Sequence, residues 1–126
     1  NSIITGVKQF KGRIHLAVGN LITTKLKRIK KSLSLNDKLK ELARLIDFEI
    51  YRNYRLFPNN YIAYDLLHED DIFNSYYTEQ DKDAFIQYLQ KKIVLTGETD
   101  PIIKQFFLQI YANPVINQLA VLRSEL

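Results

Sequence analysis

Leu35-Asn36-Asp37-Lys38-Leu39-Lys40-Glu41-Leu42-Ala43-Arg44-Leu45-Ile46-Asp47-Phe48-Glu49-Ile50-Tyr51-Arg52-Asn53-Tyr54 is the stretch that decides the fold. Leu35, Leu39, Leu42, Leu45, Ile46 and Ile50 recur at the i, i+3, i+4, i+7 spacing that lines one side of an α-helix, and Lys38, Lys40, Glu41, Arg44 and Asp47 fall elsewhere. Asn36 or Asp37 is placed to cap its start, because a short polar side chain accepts from backbone amides that the first turn leaves unpaired. Pro58 stops any continuation, since the residue before a proline is pushed out of the α region. Asn59-Asn60 can then cap a short helix over 61–67.

The same signals recur toward the C-terminus. Thr78, with Asp81 three residues on, forms a capping box and predicts a helix start. Phe85, Tyr88, Leu89, Ile93, Leu95 and the stem of Lys92 give that helix a buried face, and Gly97 is placed to end it. Asp100-Pro101 predicts a new helix with an acidic cap and proline in the first turn, its inward side formed by Ile103, Phe106, Phe107 and Ile110. Asn113-Pro114 repeats the device ahead of Val115, Leu119 and Leu122, which predicts a stacked helical pair.

Upstream of residue 35 the period changes. In Gly12-Arg13-Ile14-His15-Leu16-Ala17-Val18, Ile14, Leu16 and Val18 alternate with Arg13, His15 and Ala17, and the period of two predicts a β-strand between Gly12 and Gly19. A single strand leaves its backbone groups unpaired, so its partner is either a hairpin arm carrying Ile3, Ile4, Val7 and Phe10, or a sheet outside this chain. The expected fold is mainly α, about five helices with a short N-terminal strand or hairpin. It forms one domain over 1–126, with a basic strand-and-linker segment over 1–31 and a helical body over 32–126.

Composition bounds the chemistry. At 126 residues the chain can bury a core without staples, and the absence of cysteine excludes disulfides and thiolate chemistry. No apolar run nears the roughly 18 residues needed to cross a bilayer, and no signal-peptide pattern opens the chain. The sequence starts at Asn1 and contains no methionine, which points to a processed form or a piece of a longer protein. Residues 1–31 hold Lys8, Lys11, Arg13, Lys25, Lys27, Arg28, Lys30 and Lys31 and no acid, whereas the remainder is acidic overall. The run Lys25, Lys27, Arg28, Lys30 and Lys31, interleaved with Leu26 and Ile29, suits an anionic membrane surface. Nucleic-acid phosphates would satisfy the same charge, but no recognition motif accompanies it.

Candidate catalytic groups are few. His68-Glu69-Asp70-Asp71 clusters potential metal ligands, yet neighbouring residues do not converge on one ion, and no H-E-x-x-H spacing is present. His15 could act as a base, but no serine elbow or glycine-rich phosphate loop accompanies it. The carboxylate pairs Asp47 with Glu41 and Asp65 with Glu69 have nothing that sets them in a cleft. No catalytic residue, metal site or cofactor is assigned. The tyrosine-rich stretch 51–67 puts Tyr61, Tyr64 and Asp65 on one helical side, and with Tyr54 they form a candidate docking surface.

Asn53-Tyr54-Arg55-Leu56-Phe57-Pro58-Asn59-Asn60-Tyr61-Ile62-Ala63-Tyr64-Asp65-Leu66-Leu67 resembles a segment near the C-terminus of bacterial glycerolipid acyltransferases, the relatives of 1-acylglycerol-3-phosphate acyltransferase. The helix over 35–52 looks similar as well. Lys11-Gly12-Arg13-Ile14-His15-Leu16-Ala17-Val18-Gly19 is similar to the late strand that closes that family's catalytic α/β domain, though Gly19-Asn20-Leu21-Ile22 has no proline where the family's strand runs into one. The resemblance covers about residues 10–70.

The family's His-x4-Asp signature is absent: His15 has Asn20 at that spacing and His68 has Phe73. The resemblance therefore implies the end of a phospholipid-biosynthetic acyltransferase without its active site. It implies a helical C-terminal region packed on its own upstream catalytic domain, with acyl-CoA or acyl carrier protein meeting the parent. The parent would be cytoplasmic and peripheral to the inner membrane. The rival expectation is a non-enzymatic helical module that binds a protein or an anionic membrane surface.

Overall fold

Ser34 starts the long helix that the leucine stripe announces. Its Oγ accepts from the Asp37 backbone amide at 3.2 Å and donates to Asp37 Oδ2 at 2.7 Å, so Asp37 sits at the third helical position and Ser34, not Asn36 or Asp37, is the cap. The computed structural model describes residues 2–10 and 12–125; Lys11, which opens the strand-like stretch, lies outside them together with Asn1 and Leu126. Helices α1 (Ser2–Lys8), α2 (Thr23–Leu26), α3 (Leu35–Asn53), α4 (Pro58–His68), α5 (Glu79–Thr96) and α6 (Pro101–Glu125) follow in order, with one 3-10 turn over Asn74–Tyr76. The fold is mainly α, and no strand forms among the described residues.

The expected strand and hairpin are corrected here. Residues 2–8 are helical and 12–20 have no regular structure, with Ile14, Leu16 and Val18 facing water at 79%, 88% and 91% exposure. The alternating pattern asks for a neighbouring strand, and none is present among the described residues to pair with it.

Helix α4 is the centre of the body. It packs most extensively on α6 and also meets α5 and the 3-10 turn, while α3 lies against α6. Ile62 and Ala63 of α4 meet Phe85 and Leu89 of α5 and Leu108 and Ala112 of α6, all buried; Val115 on α6 is buried as well. Alanines at 63 and 112 let two helices approach closely where a larger side chain would overpack. Pro58 opens α4 instead of only ending α3, as its missing N–H falls where no helical acceptor exists. Asn60, not Asn59, does the capping: its Oδ1 accepts from the Phe57 amide at 2.9 Å. At the far end Glu69 adopts the left-handed conformation at φ 53°, and the Asp70 amide donates to the Asp65 carbonyl at 2.9 Å.

The caps expected for α5 hold. Thr78 and Asp81 make a reciprocal capping box, and Gly97 closes the helix at φ 71°, a backbone angle that favours glycine. Asp100 caps α6 through its Oδ1 and the Ile102 amide at 2.9 Å. The second cap does not: α6 runs unbroken through Asn113-Pro114, so the expected helical pair is one 25-residue helix. Proline removes one ladder bond there. Burial of Ala112 and Val115 on either side, and the Asn60 Nδ2 bond to the Tyr111 carbonyl at 2.9 Å, hold the turn in place.

Helical phase also differs from the expected faces. On α6 Leu108, Ala112 and Val115 are buried, and Phe107 packs against the core and Ile103 is half-buried as expected, whereas Phe106 and Ile110 point out. On α5 Phe85 and Leu89 are buried, but Leu95 is exposed. On α3 Leu42 and Leu45 are half-buried, whereas Leu35, Leu39, Ile46 and Ile50 remain exposed, because the body covers only part of that stripe.

Candidate functional site

The basic run lies across α3. Its apolar residues turn inward: Ile29 shares a cleft with Leu45 and Phe48, and Leu33 another with Asp37, Lys40 and Glu41. Lys25, on α2, reaches back to Glu49 of α3, which is 7% exposed. Lys25 Nζ donates to Glu49 Oε1, the Asn20 amide donates to Glu49 Oε2 at 3.2 Å, and the Lys25 ammonium sits 4.4 Å from the centre of the Phe48 ring. Asn53 Nδ2 donates to the Glu49 carbonyl at 2.8 Å. At Gly19 a Cβ would stand 3.4 Å from Asn53 Nδ2 and 3.5 Å from Glu49 Oε2, so the chain passes close against α3 here.

The bond from Lys25 holds the Glu49 carboxyl below the ordinary carboxylate value, the amide of Asn20 adds to this, and partial burial opposes it. Lys25 is therefore committed to an internal partner, and the five-cation set is corrected to four. Lys27, Arg28, Lys30 and Lys31 are exposed and have no ion-pair partner among the described residues.

Beside this latch runs a groove of about 490 Å³. His15, Leu16, Ala17 and Ile22 form one wall, Ile46, Glu49 and Ile50 the other, with Tyr54, Arg55 and Phe57 at one end. Its lining has no serine, threonine or cysteine, and its one carboxylate is already bonded, so it can shelter an apolar group beside the His15 imidazole and the Tyr54 ring. Among the described residues no group of three or more His, Asp or Glu is placed to hold a metal.

The tyrosine-rich stretch resolves into two parts. Phe73 sits edge-on to Tyr64 with ring centres 5.1 Å apart and is tilted on Tyr61 at 5.2 Å; Tyr76 stacks on Tyr61 at 4.6 Å. This aromatic cluster folds residues 70–77 back over α4. Asp65 lies beneath it, 3% exposed, with Oδ2 accepting from the Phe73 amide at 3.1 Å and the Tyr77 hydroxyl at 2.8 Å. Burial, and then this bond to Asp65, push the Tyr77 hydroxyl up to about 12. Asp65 is thus a buried anchor for its own loop and leaves the expected docking surface, while Tyr61 and Tyr64 are half-buried and Tyr54 is exposed. His68 stacks on Tyr64 at 4.1 Å and its Nδ1 meets the Tyr64 carbonyl at 2.9 Å, away from Asp70 and Asp71.

Three positions make links that the residue pattern did not announce, although Asn60 was expected as a cap. Glu49 joins the N-terminal segment to the body, Asn60 joins α4 to α6, and Gln118 Nε2 donates to the carbonyls of Tyr51 and Tyr54 at 3.1 and 2.7 Å, closing the end of α3. A glutamate in register with the buried stripe of a helix was the one available signal for the first. No known protein family, curated protein or solved structure matches the chain.

Proposed function

We propose that this chain is the C-terminal helical region of a bacterial phospholipid-biosynthetic acyltransferase, one that moves an acyl group from an acyl thioester to glycerol phosphate or a lysophospholipid. On this reading the chain does no chemistry by itself. The catalytic histidine and aspartate belong to an upstream α/β domain, and acyl-CoA or acyl carrier protein meets that domain. The parent works in the cytoplasm, peripheral to the inner membrane; no described helix is long and apolar enough to cross a membrane.

The observation that carries the reading is the water-facing alternation of Ile14, Leu16 and Val18. Each such side chain gains about 1.5–3 kcal/mol on burial, and a strand pattern is covered by joining a sheet. Ile46 and Ile50 of α3 border the same groove as Leu16 and extend the uncovered surface. Replacing Ile14, Leu16 and Val18 together by asparagine is expected to leave the melting of the 126-residue chain unchanged and to abolish acyl transfer by the parent. Full activity of that triple variant in the parent would refute the docking. The isolated chain, given acyl-CoA and lysophosphatidate, is expected to form no product, and turnover would overturn the reading.

A second reading, a helical interaction module with no enzymatic parent, is favoured by the exposed Val94, Leu95, Ile102, Phe106 and Ile110 of α5 and α6. A His-x4-Asp motif in the reading frame upstream of Asn1 separates the two, being required by the first and not by the second.

A further inference from the structure

We infer that the exposed basic ridge of Lys27, Arg28, Lys30 and Lys31 is a bilayer-docking face that binds anionic lipid headgroups by charge alone, without inserting its apolar residues. This deepens the peripheral placement proposed above and rests on it. The four cations follow α2 in a turn, and all four are exposed. Of the apolar residues within and beside this run, Ile29 and Leu33 are half-buried against α3 and are not available to a membrane core, while Leu26, on α2, is 36% exposed. An amphipathic helix that enters a bilayer presents its apolar side outward, whereas this segment presents its charged side outward and its apolar side to its own body. The Lys25–Glu49 bond and the Asn20 amide on the same carboxylate fix the turn in that orientation, so the cations are displayed on a pre-ordered surface.

The acids near the ridge are offset. Glu41 pairs with Arg44 at 3.1 Å, and Asp37, which keeps its charge, shares its cleft with Lys40, a further cation beside Lys30. The described part of the segment preceding the ridge, residues 2–10 and 12–24, contains no acid. Nucleic acid is the weaker match to the same charge. Phe10 and the His15 imidazole are the two aromatic rings in residues 1–31, and neither lies in the basic run, so no stacking platform for bases is interleaved with the cations.

The test is sedimentation of the full 126-residue chain with vesicles of phosphatidylcholine alone or with one third phosphatidylserine. At low salt, binding to the anionic vesicles is expected and binding to the neutral ones is not. Each cation near the surface contributes about fivefold, so changing Lys27, Arg28, Lys30 and Lys31 to glutamine lowers the partition coefficient by roughly three orders of magnitude. Lys25→Gln alone lowers it by less than fivefold. Raising the salt to 1 M releases the wild type fully, as the screening length falls to about 3 Å. Circular dichroism of the quadruple variant confirms that its helices are intact, since none of the four touches the core.

Anionic-vesicle binding that survives the quadruple change, or that resists 1 M salt, overturns the assignment of this face and leaves the peripheral placement standing. No binding to either vesicle overturns both, and leaves the docking on a catalytic domain untouched. Tighter binding to a DNA duplex than to the anionic vesicles at matched salt also overturns the proposal.

Discussion

Asn60 joins two helices through both ends of one amide, and its replacement tests how the body is held. The side chain is buried, its Oδ1 accepts from the Phe57 amide at 2.9 Å, and its Nδ2 donates to the Tyr111 carbonyl at 2.9 Å, one turn before Pro114. Asn60→Ala removes both bonds. Losing the cap on Phe57 costs about 1 kcal/mol. Stranding the Tyr111 carbonyl costs about 1–2 kcal/mol, at the low end because a carbonyl keeps a second lone pair. The sum is about 2–3 kcal/mol, or a melting-temperature drop of about 7–12 °C for a domain of this size.

Asn60→Asp separates the two roles. The new carboxylate still accepts from Phe57, and its charge suits the helix N-terminus, but it now faces the Tyr111 carbonyl with no proton to give. It is expected to destabilise at pH 7 by about 2 kcal/mol. Burial and the carbonyl raise the folded-state pKa of this carboxyl, so the protonated form donates and stability is regained on acidification. That contribution is full below the unfolded value of about 3.9 and lost as pH rises through the folded value. Chemical denaturation of the two variants at pH 7 and pH 4 reads all four numbers, with Asn59→Ala at the exposed neighbouring position as control. An Asn60→Ala variant within about 0.5 kcal/mol of wild type, or an Asn60→Asp variant whose deficit does not shrink at pH 4, would refute the reasoning.

Two further outcomes follow from single geometries. The bond from Lys25 lowers the folded pKa of Glu49, so the latch contributes stability above the ordinary value of 4.5 and loses it as pH falls through the lower folded value. Protection factors of the amides at residues 19–26, corrected for the slower intrinsic exchange in acid, should fall on acidification before those of the helices of the body, and Glu49→Gln should show the lower protection at neutral pH; unchanged protection would remove Glu49 from the role. Glu69 is a non-glycine residue held at φ 53°, so Glu69→Gly should raise stability by up to about 1 kcal/mol, seen as a higher urea midpoint with an unchanged slope, and a lower midpoint would contradict it.

How much of this was legible depended on how local the signal was. Capping chemistry reads well because donor and acceptor lie two or three residues apart: Thr78 with Asp81, Asp100 with Ile102 and Gly97 at its positive φ are all found as expected. Ser34 was missed in favour of the next polar residues by the same logic applied one turn late. Asn113-Pro114 carries the local signal of a helix start, and tertiary contacts override it, since Ala112 and Val115 are both buried and Asn60 reaches across from 51 residues away. That bond, like the one from Lys25 to Glu49, joins residues that no periodicity relates, which is why the latch was invisible in the sequence. Asp65 failed in the opposite direction. Its polar character suggested a surface, but the donors that allow its burial, Phe73 and Tyr77, lie in a loop with no regular pattern.

The distribution of satisfied and unsatisfied surface is the final guide to what this chain does. No buried side-chain nitrogen or oxygen lacks a partner among the described residues, so the polar accounts of the helical body close within it. Its apolar accounts do not. Ile14, Leu16 and Val18 remain in water beside Ile46 and Ile50, on the side where Lys25 and Glu49 fix the N-terminal segment against α3. A body with closed hydrogen bonding and an open apolar face gains by covering that face. Coverage by a neighbouring sheet would use the period-two residues, and the adjacent cations would then lie at the edge of the joint, where charge is tolerated and lipid headgroups can reach. The docking proposal and the bilayer proposal therefore concern adjoining but separate surfaces, and the triple asparagine variant and the quadruple glutamine variant each disable one and spare the other.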